Sequence, residues 1–280
     1  MHLLQAILMG IIQGLSEFLP ISSSAHLVFT SNLYKVLGNI EITQVTEQEV
    51  FFDIMLHLGT LIAVLVFFKN DILKISKAFL LGLKKEEFRN PDFKIGCYII
   101  LGTVLTALIA VPLCETSEML VFMPAGVGLF LVITGFVLLF SEWLSKKYKE
   151  KGNITLKSSI LIGLAQGLAS LPGFSRSGLT IASGLISGAD RITAARYSFL
   201  LSIPVIIGAS MIYPLVKINP VGMTNFNWFA IIIGTIVSGI TGYFCIKYFL
   251  RFLEKFSMAF FGYYCILIGI LAYWFFIGRI

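Results

Sequence analysis

Apolar runs close to 20 residues long recur along this chain. They cover residues 51–68, 95–113, 119–140, a stretch after Arg196 that ends near Tyr213, 228–250 and 256–277. A helix of about 20 apolar residues crosses the hydrocarbon of a bilayer. In lipid the backbone must satisfy its polar groups inside helices or a closed barrel. A barrel would show alternating segments of about ten residues, and none is visible. Charged residues make up 13% of the chain, against about 25% in a soluble domain. The mean hydropathy is +0.90. These features predict an all-α polytopic membrane protein that is one integral domain over residues 1–280.

The formal net charge of +6 is not a nucleic-acid signal, because the basic residues sit between the apolar runs. Cytoplasmic links collect Lys and Arg. That assigns residues 69–94, 141–157 (Lys146, Lys147, Lys149, Lys151, Lys157) and 247–255 to the cytoplasm. Residues 32–50 (with Glu41, Glu47, Glu49), 114–118 and 214–227 then lie outside. Two further apolar segments, 1–31 and 158–189, are broken by Gly, Pro and hydroxyl residues, so a straight crossing fits them poorly. The charge assignments agree with one another if each is a re-entrant helix-loop-helix hairpin, the first entering from outside and the second from the cytoplasm. The expectation is two inverted-topology repeats, 1–150 and 151–280, each with one hairpin and three transmembrane helices. Both chain ends then fall outside. No cleavable signal peptide is expected, since the N-terminus lacks a basic region and a small-residue cleavage site. The four cysteines form no CxxC pair and read as buried apolar residues.

The first broken segment contains Gln13-Gly-Leu-Ser-Glu17-Phe-Leu-Pro20-Ile-Ser22-Ser23-Ser24-Ala-His26, and the second Gln166-Gly-Leu-Ala-Ser-Leu-Pro172-Gly173-Phe-Ser175-Arg176-Ser177. A charge at mid-bilayer costs about 2.5–3.5 kcal/mol even on a lenient scale, so such groups are kept where they face a polar cavity. The two stretches read as halves of one site. Glu17 is the candidate carboxylate, and Gln13 shares its helix face at a spacing of four. Ser22, Ser23 and Ser24 suit either backbone caps or a phosphate cradle, and one could be a nucleophile with a base in reach. His26 is a candidate acid/base group. Arg176 has the planar fork for a phosphate, or it neutralises Glu17. Gly173 lets the backbone turn and offers N–H groups to an anion, and Thr180 adds a hydroxyl. Asp53 and His57 read as support for the site or as an interfacial pair. The lack of a GxxxxGK[ST] loop argues against P-loop hydrolysis, and the lack of an HExxH helix against zincin chemistry. Carboxylate, imidazole, hydroxyls and guanidinium in a bilayer suit a lipid-linked phosphate ester or anhydride. A transporter or flippase for a polyprenyl phosphate is the alternative, because inverted repeats around a midplane site are also transporter traits.

These motifs resemble those of the bacterial undecaprenyl-diphosphatases, also called bacitracin-resistance proteins. The resemblance rests on the Gln13–His26 stretch, on Pro172-Gly173-Phe-Ser175-Arg176-Ser177-Gly-Leu-Thr180 and on FDIMLHLGT at residues 52–60, and it extends over essentially the whole chain. Ser24-Ala25 stands where many relatives read Thr-Gly. The resemblance implies hydrolysis of undecaprenyl diphosphate to the monophosphate at the outer face of the bacterial plasma membrane. That recycles the lipid carrier for cell-wall synthesis and confers bacitracin resistance. It implies central roles for Glu17, Ser23, His26 and Arg176, with Gln13, Ser22, Ser24, Gln166, Gly173, Ser175, Ser177 and Thr180 binding substrate. It also implies Mg2+ or Ca2+ held through Glu17, and no organic cofactor. Attack by Ser23 and attack by water both stay open. The partners are the lipid substrate and the bilayer, with no nucleic acid, and a homodimer is left open.

Overall fold

The computed structural model describes residues 2–38, 46–85, 88–147, 152–217 and 222–278. Among them every regular element is helical. In order they are α1 (Leu3–Ser16), α2 (Ser23–Leu37), α3 (Glu47–Phe67), α4 (Lys69–Lys85), α5 (Pro91–Ala110), α6 (Cys114–Val121), α7 (Pro124–Ser145), α8 (Leu156–Leu168), α9 (Arg176–Ile186), α10 (Arg191–Lys217), α11 (Trp228–Lys255) and α12 (Ala259–Phe276), with one 3-10 turn before α11. Six of them, α3, α5, α7, α10, α11 and α12, are long and apolar enough to cross a membrane. Large apolar side chains such as Leu108, Phe136, Ile240 and Trp274 stand exposed on their outer faces, as lipid contact requires. The repeat boundary expected at residues 150/151 and the charges expected at Glu41, Lys149 and Lys151 fall outside the described residues.

Local chemistry sets the helix ends. Thr46 and Glu49 form a reciprocal capping box at the start of α3, and Thr155 and Ser158 do the same for α8. Pro91 and Pro124 occupy first-turn positions of α5 and α7, where their missing N–H is no loss. The span expected at 119–140 therefore starts later, at Pro124, and runs to Ser145, while residues 114–121 form the separate helix α6. The basic link 69–94 is likewise helical for most of its length.

The two broken segments are short helices joined by tight turns. Helix α1 has 14 residues and α8 has 13. At about 1.5 Å per residue both fall short of the roughly 30 Å of bilayer hydrocarbon. Each lies along a full span through a seam of small residues, the usual way to bring membrane helices close. A Cβ added at Gly10 would sit 2.5 Å from the Gly234 carbonyl of α11, and one at Gly14 2.6 Å from that of Ser238. On the other side, a Cβ at Gly163 would meet Gly102 of α5 at 2.8 Å, and one at Gly167 would meet Ile109 at 2.6 Å. In both seams the residue numbers rise together, so α1 runs parallel to α11 and α8 parallel to α5. Helix α3 also runs parallel to α11, with Ser238 donating to the Leu56 carbonyl at 2.8 Å and Phe52 against Gly234. Helices α7 and α12 pair the other way, Gly128 against Gly269 and Gly135 against Gly262, so they are antiparallel. The exchange is consistent: α1 packs on α11 and α8 on α5, while α7 packs on α12.

Candidate active site

The turn after α1 spans residues 17–22. Two thiols hold it and the last turn of α1: Cys245 donates to the Leu15 carbonyl at 3.1 Å and Cys265 to the Pro20 carbonyl at 3.4 Å. Ser22, at φ 68°, is the one non-glycine residue with positive φ among those described. L residues rarely hold that conformation. Ser22 is kept there by its hydroxyl, which accepts from Ala25 N at 3.2 Å, caps α2 and donates to the Phe174 carbonyl of the second turn at 3.2 Å. The second turn is built in the same manner. Gly173 takes φ 103°, and a Cβ there would strike the Val127 carbonyl at 2.4 Å. Ser175 caps α9 through Gly178 N at 3.0 Å, and its own N–H donates to Thr134 at 3.2 Å. Ser177 then reaches back to the Leu19 carbonyl of the first turn at 2.8 Å. The two turns are bonded to each other in both directions.

Between them lies the charged centre. Arg176 donates from Nη2 to Oε1 of Glu17 at 2.5 Å. The other carboxylate oxygen, Oε2, accepts from Ser23 at 2.7 Å and from Gln13 at 3.0 Å. The Nε2 atom of His57 stands 3.7 Å from that same oxygen. Both partners of the ion pair are largely buried, with side-chain exposures of 17% for Arg176 and 6% for Glu17. Removing one partner of a buried pair costs about 3–5 kcal/mol, so the pair ties the two hairpins together as well as supplying charge. Arg176 also donates weakly to the Ser198 carbonyl at 3.5 Å, and Thr180, one turn along α9, shares a 2.6 Å hydrogen bond with the Ser198 hydroxyl.

A cavity of about 510 Å3 opens on this centre. Glu17, Ser23, Ser24, His57, Gln166, Ser175, Arg176 and Ser177 line its polar side, and Met9, Leu27, Phe52, Leu56, Phe174 and Ile206 contribute to its apolar side. The structure thus brings Ser23 and Arg176 each into direct contact with Glu17, with Ser24, Gln166, Ser175 and Ser177 on the surrounding wall. Gln13, Ser22, Gly173 and Thr180 stand behind that wall and shape it. His26 also stands behind it. Its Nδ1 donates to the Ser22 carbonyl at 2.8 Å, and its Nε2 accepts from the Tyr264 hydroxyl at 2.8 Å. With both ring nitrogens engaged and the ring parallel to Tyr264, His26 braces the serine turn. The imidazole that faces the cavity is His57. Thr134, Ser198 and Tyr264 are supports that sequence reasoning missed. Each is an ordinary hydroxyl residue in a largely apolar helix, a weak signal without the fold.

The expectation that Glu17 holds Mg2+ or Ca2+ meets a carboxylate whose two oxygens are already engaged by Arg176, Ser23 and Gln13. Among the described residues no group of three or more His, Cys, Asp or Glu gathers to hold a metal ion. These residues do not form a ready-made cation site.

The sequence matches the family described as Bacitracin resistance protein BacA over residues 6–271. A protein of Methanobrevibacter smithii that carries the name undecaprenyl-diphosphatase is 40% identical over 286 residues, covering 98% of this chain and 97% of the relative. One of the same name from Halothermothrix orenii is 41% identical, covering 97% of each. Another from Nitrosococcus oceani is 36% identical, covering 99% of this chain and all of the relative. Matched across nearly its full length, the chain belongs to the bacitracin resistance protein BacA family.

Proposed function

We propose that this protein hydrolyses undecaprenyl diphosphate to undecaprenyl phosphate and inorganic phosphate, which recycles the lipid carrier for cell-wall synthesis and confers bacitracin resistance. The observation that carries this reading is the Glu17–Arg176 pair with Ser23 donating to its carboxylate, set in a cavity that also has an apolar wall. A guanidinium has five N–H donors. Those not given to Glu17 and Ser198 are available to hold the diphosphate and to stabilise charge on the transferring phosphoryl. The wall formed by Leu27, Phe52, Leu56 and Ile206 suits the start of an isoprenoid tail.

In our reading Ser23 is the nucleophile. Its oxygen attacks the terminal phosphorus, its proton passes to Oε2 of Glu17, and undecaprenyl phosphate departs. Any Mg2+ or Ca2+ is assigned to the diphosphate itself, since Glu17 is occupied. We place the protein in the plasma membrane with the site open to the outer face, and its halves as inverted repeats. The parallel seams of α1 with α11 and α8 with α5, and the antiparallel pairing of α7 with α12, support this arrangement. So do the acidic residues Glu115 and Glu118 before α7 and the lysines Lys146 and Lys147 after it. A topology reporter placed after Ile280 should report the outer side.

The test of function is phosphate release by the purified protein from undecaprenyl and farnesyl diphosphate. Release that Arg176→Ala abolishes supports hydrolysis. Binding of the diphosphate without release would favour transport of a polyprenyl phosphate instead.

A further inference from the structure

The two histidines near Glu17 are held in contrasting ways. Both donate Nδ1–H to the carbonyl four residues earlier, His26 to Ser22 at 2.8 Å and His57 to Asp53 at 2.9 Å. A carbonyl only accepts, so each Nδ1 carries the proton, and in a neutral ring Nε2 keeps its lone pair. In His26 that lone pair is taken by the Tyr264 hydroxyl. In His57 it faces the cavity, 3.7 Å from Oε2 of Glu17, beyond hydrogen-bond range. The His57 side chain is 28% exposed, whereas that of Glu17 is 6%. His57 is thus an oriented base on the same oxygen that Ser23 uses, and it has no part in the first transfer.

The second half of the reaction needs such a group. Once Ser23 has been phosphorylated, Glu17 holds the serine's proton and cannot accept another from water. We propose that His57 is the general base that activates water against phosphorylated Ser23, an inference that rests on Ser23 as nucleophile. Water oxygen forms a bond to phosphorus and gives its proton to Nε2 of His57. The bond from phosphorus to the Ser23 oxygen breaks, and that oxygen recovers its proton from Glu17. Inorganic phosphate leaves, and His57 returns its proton to solvent through its exposed edge. Three charged groups face the ring. On its own helix, the Asp53 carboxylate stands 3.9 Å from Nδ1 and favours the imidazolium that forms. Glu17 approaches from the end of α1, and Arg176 from α9.

The two half-reactions can be read separately in the full-length protein. Undecaprenyl diphosphate labelled at its terminal phosphate is mixed with wild type, His57→Gln and His57→Ala, and both products are followed over time. The expected result is one equivalent of undecaprenyl phosphate released early by both variants at nearly the wild-type rate, with label retained on Ser23. Inorganic phosphate release should fall by about 10²–10⁴-fold, the range for losing a general base. Added imidazole should restore part of it in His57→Ala. Products that appear in step in both variants, or lost turnover with no label on the protein, would overturn the role given to His57. A wild type that makes no undecaprenyl phosphate would instead count against the diphosphatase reading, and full activity in Ser23→Ala against the serine nucleophile.

Discussion

The first and second hairpins share one construction and differ in what they present. Each opens with Gln-Gly-Leu, ends a short helix, turns, and restarts on a hydroxyl that caps the next helix. The paired hydroxyls lie at nearly the same separation, 3.2 Å between Ser22 and Ser24 and 3.3 Å between Ser175 and Ser177. Four residues after Gln13 stands Glu17; four residues after Gln166 stands Ser170. Between its paired hydroxyls the first hairpin places Ser23, and the second places Arg176. In the proposed reaction one hairpin supplies the acid and the nucleophile, the other the cation. The shared hairpin construction supplies position and the unlike residues supply the proposed chemistry, so neither hairpin alone holds the whole of the proposed site.

Removing the cation should break this division most severely. Arg176→Ala is expected to lower phosphate release by about 10³-fold or more, as loss of a phosphoryl-stabilising arginine does. It should also lower the melting temperature in detergent, because Glu17 is left as an unpaired buried charge. Arg176→Lys should recover much of the melting temperature and little of the turnover, since Lys lacks the planar fork. Ser23→Ala should abolish the labelled phosphoenzyme while leaving the melting temperature close to wild type, and diphosphate binding measures whether the site survives. Next come the seams. Gly14→Ala and Gly167→Ala should each destabilise the fold by about 1–3 kcal/mol through overpacking, with similar shifts in both halves if the seams are equivalent. A smaller loss, several-fold in turnover, is expected from Tyr264→Phe, which frees Nε2 of His26 and loosens the serine turn. Smallest is Ser170→Ala. Its Oγ is buried without a partner among the described residues, so the change should stay within about 0.5 kcal/mol and leave turnover unaltered. That contrast with Glu17 at the matching place sharpens the division.

Much of this was legible in the residues. Apolar run length reports a span directly, so the six crossings could be read. The two hairpins could be read because Gly, Pro and hydroxyl residues interrupt apolar sequence where lipid would not tolerate open backbone. Glu17 and Arg176 stood out because a charge in such a segment needs a partner. Helices α4 and α6 were hidden because their polar faces look like links, and the start of α7 because a Pro in an apolar run opens a helix only when it falls in the first turn. The two histidines were the hardest to read. His26 lies three residues from Ser23, and sequence nearness made it the candidate acid/base group. Its ring turns instead to Tyr264, 238 residues away, a contact that only α12 packing beside the turn creates. His57 lies on a different helix, and only the packing of α3 against α11 beside α1 carries it to Glu17.

The measurement closest to the central claim is a double-mutant cycle on Glu17→Gln and Arg176→Gln, read by phosphate release from undecaprenyl diphosphate. Residues that act as one unit are strongly non-additive. If the hairpins form a single centre, the double variant should be no slower than the slower single variant. Losses that simply multiply would mean that the two residues act independently, and would contradict the shared site.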